Sequence, residues 1–159
     1  MLHKKGMRAL AAALSLTACL ALAGCAKQPA SAPACRATLD AVLASQPFEE
    51  MTDISPDKLA ELLAVEPAAL ADQAMAMDAS RATAECVIAL TAADAGALKA
   101  LEQALRDYRD ATLALYRDYQ PAEAPKLERA VLRTQGLQTV LVVCADEAKA
   151  QRALDAAWK

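Results

Sequence analysis

Between Cys35 and Lys159 the apolar positions follow two different periods, and the switches between them divide the chain into elements. Cys35–Ser45 has helical spacing at Leu39, Val42 and Leu43, and Pro47 ends that segment. Ser55-Pro56 opens a second short helix, with Ser55 as N-cap, Pro56 at the first position and Leu59, Leu62 and Leu63 turned inward. Leu70–Met77 alternates with Met75 and Met77 on one face. Thr83–Leu90 alternates with Cys86, Ile88 and Leu90 on one face, so the two read as a hairpin turning near Ala79-Ser80.

Ala92–Tyr119 then carries Leu98, Leu101, Leu105, Tyr108, Thr112, Leu115 and Tyr119 at steps of three and four, the stripe of a long amphipathic helix. Thr91 is its expected cap, with Asp94 in the first turn. Gln120–Pro125 reads as a loop. Ala130–Thr134 and Leu137–Cys144 form a second hairpin around Gln135-Gly136, where glycine tolerates the positive φ of a tight turn. The second of these strands is apolar on both faces, as a central strand should be. Asp146 caps a last helix reaching Ala157. The prediction is an α+β fold: a small antiparallel four-stranded sheet of two hairpins, packed by one long and several short helices. The two hairpin–helix runs echo one another. If all helices cover one sheet face, the other would present Glu85, Val87, Val131 and Arg133.

Residues 1–25 follow another logic. A basic stretch with Lys4, Lys5 and Arg8 precedes the apolar run Ala9–Ala23, which falls short of the ~20 residues of a membrane span. It ends in Leu22-Ala23-Gly24-Cys25. Basic segment, apolar segment, small residues and cysteine in that order resemble the lipobox of bacterial lipoproteins. The resemblance implies cleavage before Cys25 and attachment of diacylglycerol to its thiol. Leu16-Thr17-Ala18-Cys19 is a second, less well placed match, and an uncleaved anchor is the alternative reading. The expected organisation is residues 1–24 as signal peptide, 25–34 as lipidated cysteine and flexible tether, and 35–159 as one globular domain. The partner implied by Cys25 is the membrane, and the location is its extracytoplasmic face.

Charge narrows the remaining partners. Lys4, Lys5 and Arg8 are three of 17 basic residues; without them 14 face 20 acids, a net charge of −6. Phosphate backbones need clustered Lys and Arg, so nucleic acid is not an expected partner. The chain's one histidine, His3, precedes the lipobox, which removes Ser-His-Asp and Cys-His catalysis from the domain. It has neither a glycine-rich phosphate loop nor a Cys-x-x-Cys pair, and no cofactor, metal or catalytic residue is assigned. Glu49, Glu50 and Asp53 form an acidic run without the spacing of a calcium loop. Arg106 and Arg109 read as surface charges. Cys86 and Cys144 fall on predicted strands and are candidates for a disulfide; burial as small hydrophobes is the alternative.

From Glu85 onward the order and composition of the elements resemble domain-of-unknown-function family 4358, whose members are largely predicted lipoproteins. The residues that carry the likeness are ECVIAL (85–90), Leu105-Arg106, Tyr119-Gln120-Pro121, Ala130-Val131-Leu132, Gly136 and Thr139–Val143. The family has no assigned activity, so the likeness implies location and fold and supplies no catalytic residue. A binding or envelope-organising module is the expected role. An envelope enzyme working through carboxylates, or a thiol redox protein, is the alternative.

Overall fold

Val140-Leu141-Val142-Val143 is apolar at odd and even positions alike, so a strand formed here needs cover on both faces. The computed structural model describes residues 32–159 and supplies that cover. The expected signal peptide, Cys25 and most of the tether lie outside the described residues. The elements run α1 (Cys35–Leu43), β1 (Met51–Asp53), α2 (Pro56–Leu63), a 3-10 turn (Pro67–Ala69), β2 (Leu70–Asp78), β3 (Cys86–Ala92), α3 (Ala95–Tyr119), α4 (Ala124–Glu128), β4 (Val131–Gln135), β5 (Gln138–Val143) and α5 (Glu147–Ala157). All five strands join one antiparallel sheet in the order β1-β2-β3-β5-β4.

Side chains of the two central strands alternate between two cores. Ile88, Leu90, Leu141 and Val143 meet Leu101 and Leu105 of α3, Leu59 and Leu63 of α2, and Leu127 of α4. Val87, Ala89, Val140 and Val142 meet Leu39 and Val42 of α1 and Leu154 and Trp158 at the α5 end. The α+β class stands, and the sheet has five strands where four were expected. The additional strand, β1, has only three residues and pairs Met51 with Asp78 and Asp53 with Ala76. At that length it shows no alternation, and Asp53 reads with the preceding Glu49 and Glu50 as an acidic run. The open face is also corrected: Val87 and Val131 are buried under α1 and α5, which cover what α3 does not, and Glu85 is buried against Lys126 and the Glu49 amide.

Local chemistry sets the element ends. Asp94, not Thr91, caps α3, its carboxylate accepting from the Ala97 amide at 2.8 Å, while Thr91 belongs to β3. Asp146 caps α5 through the Lys149 amide at 3.0 Å. Gly136 has φ 58° in the β4–β5 turn, the left-handed backbone that glycine adopts freely. α4 begins at the end of the segment read as a loop, Gln120–Pro125, and runs on to Glu128, with Pro125 in its first turn. The two hairpin–helix runs differ in three dimensions. A rotation exchanging β3 with β5 and β2 with β4 would leave both helices on one face, yet α3 and α5 lie on opposite faces.

At the sheet end where β5 begins, one buried amide joins distant parts of the chain. Gln138 Oε1 accepts from Trp158 Nε1 at 2.7 Å and from Thr38 Oγ1 at 3.0 Å. Its Nε2 donates to the Pro33 carbonyl at 2.7 Å. Next to it the Cys35 amide donates to Asp72 at 2.7 Å, satisfying a free N–H at the start of α1. Gln138→Leu keeps the size of the side chain and removes the partner of three polar groups, two of them buried. It should cost about 3 kcal/mol, whereas Trp158→Phe, which removes one donor, should cost about 1 kcal/mol. Urea denaturation of both variants checks this order, and a Gln138→Leu protein as stable as wild type would refute the role of the amide.

Candidate functional site

The helices on the α3 side are unequal. At 1.5 Å per residue, α3 with its 25 residues spans about 37 Å and α2 with its eight about 12 Å. A seven-residue strand such as β3 covers only about 24 Å. The long helix therefore outruns both its neighbour and the sheet. Leu101 and Leu105 lie over the sheet and are completely buried, whereas Leu115 and Tyr119, further along the predicted stripe, are 63% and 70% exposed. Tyr116 turns inward there instead. Its hydroxyl lies 2.6 Å from the Thr83 carbonyl and 3.2 Å from that of Arg81.

Between α2 and α3 this mismatch leaves a groove of about 830 Å³. Leu62, Leu63 and Val65 form one bank. Ala100, Ala104 and Ala111 of α3 form the other, and their short side chains keep it open. The chain leaves α2 through Ala64, whose φ of 51° turns Val65 and Glu66 back along this bank. A second recess of about 360 Å³ continues past Met77, Thr83 and Tyr116. The two share Leu62, Tyr108, Thr112 and Leu115, so they form one continuous apolar trough.

The segment between β2 and β3 forms the far end of the trough, and Asp78 organises it. The Asp78 carboxylate accepts from the amide and hydroxyl of Ser80 and from those of Thr83, at 2.7–2.8 Å. Burial opposes its charged form, but these bonds outweigh burial and hold the carboxyl down to about 2. Beside it, Lys126 Nζ bridges Glu85 and Glu123, at 3.0 Å from each. Both carboxylates also accept backbone amides, of Glu49 and Ala84 respectively. Burial pushes Lys126 towards neutrality; its bonds to Glu123 and Glu85 win and raise it.

Burial raises the Tyr108 phenol, with the neighbouring Cys86 adding to it, and raises the Tyr116 phenol likewise. It also pushes the thiol of Cys86 up to about 12 and that of Cys35 to about 11. Every resolved shift among the described residues moves its group further from neutral pH.

The cysteines, Asp53, Arg106 and Arg109 singled out in the sequence do not line this trough. Cys86, Cys144 and Cys35 are free and buried. Cys86 points into the α3-side core, whereas Cys144 points into the core under α1 and α5. The sheet separates the expected pair. Asp53 pairs with Arg36, Arg106 with Glu102 and Arg109 with Asp110. Among the described residues no group of three or more metal-ligating side chains gathers, and no helix is long and apolar enough to cross a membrane. The trough has little signature in the sequence. Its only trace in the sequence is the alanine run along one side of α3.

A family model, Domain of unknown function (DUF4358), matches residues 44–152, more than half of the chain. The chain belongs to this family. No curated protein and no solved structure matches it.

The Asp78 network makes a pH prediction. Its stabilisation is complete above the ordinary carboxyl range near 3.8 and is lost as pH falls towards 2. Asp78→Asn should lower stability at pH 7 and flatten its decline between pH 4 and 2. Thermal melts of both proteins across that range read the slope, and parallel slopes would assign the acid sensitivity to another group.

Proposed function

We propose that this member of the DUF4358 family is a lipid-anchored, extracytoplasmic binding module, held by diacylglycerol on Cys25 and binding through the trough between α2 and α3. The observation that carries the binding role is the trough: about 830 Å³ of largely apolar space beside a helix whose Leu115 and Tyr119 stay in water. Ligand sites are concave, apolar and few per protein, and exposed apolar patches of this kind mark contact surfaces. The anchor rests on the ordered basic, apolar and Leu-Ala-Gly-Cys segments at residues 1–25. Acyl chains supply about 0.8 kcal/mol per buried methylene, so two or more hold a domain firmly where charge does not. The hydrolytic alternative has less support, because Glu85 and Glu123 already bind Lys126. The redox alternative would need an accessible thiolate, whereas the three described thiols are buried and raised.

Two measurements test the two halves. Intact mass and membrane fractionation of the native protein should show an acylated Cys25 amino terminus in the membrane fraction, and Cys25→Ala should lose the acyl mass and leave that fraction. Retention of residues 1–24 would overturn the anchor. For the trough, an environment-sensitive apolar dye should bind the Cys25→Ala protein at one site, with a Kd of order 10 μM. Ala104→Trp, which adds an indole to the open bank, should weaken the dye at least about tenfold, a loss of 1.4 kcal/mol. Absence of saturable dye binding would overturn the trough as a site.

A further inference from the structure

The trough also carries information about charge, and this inference rests on the binding role just proposed. Glu66 stands on the α2 bank and Asp107 on the α3 bank, and no basic residue lines the larger recess; the smaller recess carries one charge of each sign, Arg81 and the Lys126-paired Glu85. Their neighbours are neutralised: Glu102 faces Arg106 at 3.6 Å, Asp110 faces Arg109 at 2.7 Å, and Glu61 faces Lys58 at 2.9 Å. Among the described residues neither Glu66 nor Asp107 forms an ion pair, and Asp107 receives only an amide bond from Gln103 at 2.8 Å. An apolar floor between two uncompensated carboxylates selects an occupant with an apolar face and positive flanks.

We propose that the trough binds a cationic amphipathic helix of a partner protein. From Ala100 to Tyr119 the α3 bank runs about 28 Å, the length of a helix of five turns. Ala100, Ala104 and Ala111 let a second backbone approach α3 at the 8–10 Å of ordinary helix packing. Leu115 and Tyr119 at the mouth give it apolar anchors, and tyrosine is a residue type that carries binding energy at interfaces. The net charge of −6 over residues 26–159 steers such a partner inward.

The same charges argue against the other occupants. Anionic lipid would bring its headgroups against Glu66 and Asp107. A second copy docked groove to groove would set like carboxylates face to face. The chain also enters the domain at the opposite end. Pro33 and Cys35 are fastened to Gln138 and Asp72, beside the start of α3, whereas Leu115 and Tyr119 lie near its finish.

The test uses the Cys25→Ala protein at 150 mM salt and fluorescein-labelled 18-residue amphipathic peptides, one of Leu and Lys and one of Leu and Glu. Anisotropy should show the Leu/Lys peptide saturating one site at least about tenfold more tightly than the Leu/Glu peptide. Ala104→Trp should weaken the Leu/Lys peptide by a similar factor without changing the melting temperature. The double variant Glu66→Lys, Asp107→Lys should reverse the preference. Equal binding of both peptides would overturn the charge selection, and with the dye site intact the binding role would survive it. Leu/Lys binding indifferent to both variants would overturn the site as well. Tighter binding to vesicles of one-quarter phosphatidylglycerol in phosphatidylcholine, or a dimer in sedimentation that Ala104→Trp dissolves, would replace the partner helix with lipid or with a second copy.

Discussion

The pairing of β3 with β5 is the constraint on which the rest of the fold depends. Six consecutive residue pairs, from Cys86–Val143 to Thr91–Gln138, place two strands side by side at the centre of the sheet. Their side chains are apolar above and below. A sheet with two dry faces needs a layer of helix on each, and five helices of unequal length must be divided between them. The α3 side receives the longest helix and two small ones. The other side receives α1 and α5, brought together through Gln138.

That division was partly legible. The periods of Met75 and Met77, of Cys86, Ile88 and Leu90, and of Leu101 and Leu105 place each residue on the face it occupies. The two-sided apolar character of Leu137–Cys144 gave β5 its central position. Asp146 and Gly136 stand where their chemistry requires them. What escaped were relations between elements. Periodicity shows that a helix has an apolar side, but does not say which face of the sheet that side meets. The sequence of α1 therefore reveals burial of Leu39 and Val42 without revealing that they close the face presumed open. This helix also precedes the residues that carry the family match, although Cys35, Leu39 and Val42 are completely buried.

The trough was illegible for a related reason. A stripe at steps of three and four predicts continuous burial, and Leu115 and Tyr119 sit on that stripe as faithfully as Leu101 does. Only the lengths of the other elements leave them outside. The cysteines show the same limit. Cys86 and Cys144 are near in sheet order but their side chains enter opposite cores, because Cys144 follows by one residue the position that faces Cys86. A single step along a strand reverses the face.

The Gln138 amide has a consequence for how this chain acquires its structure. It joins Pro33 and Thr38 to Trp158 across more than a hundred residues of sequence, and Gln46 reaches Asp146 in the same layer. A chain delivered amino end first from a ribosome holds α1 long before its partner helix exists. Hairpins and α3 can form early from near neighbours, but the α1–α5 layer can close only after α5 is released. Until then the second face of the sheet has no roof, and Val87, Ala89, Val140 and Val142 stay exposed to water.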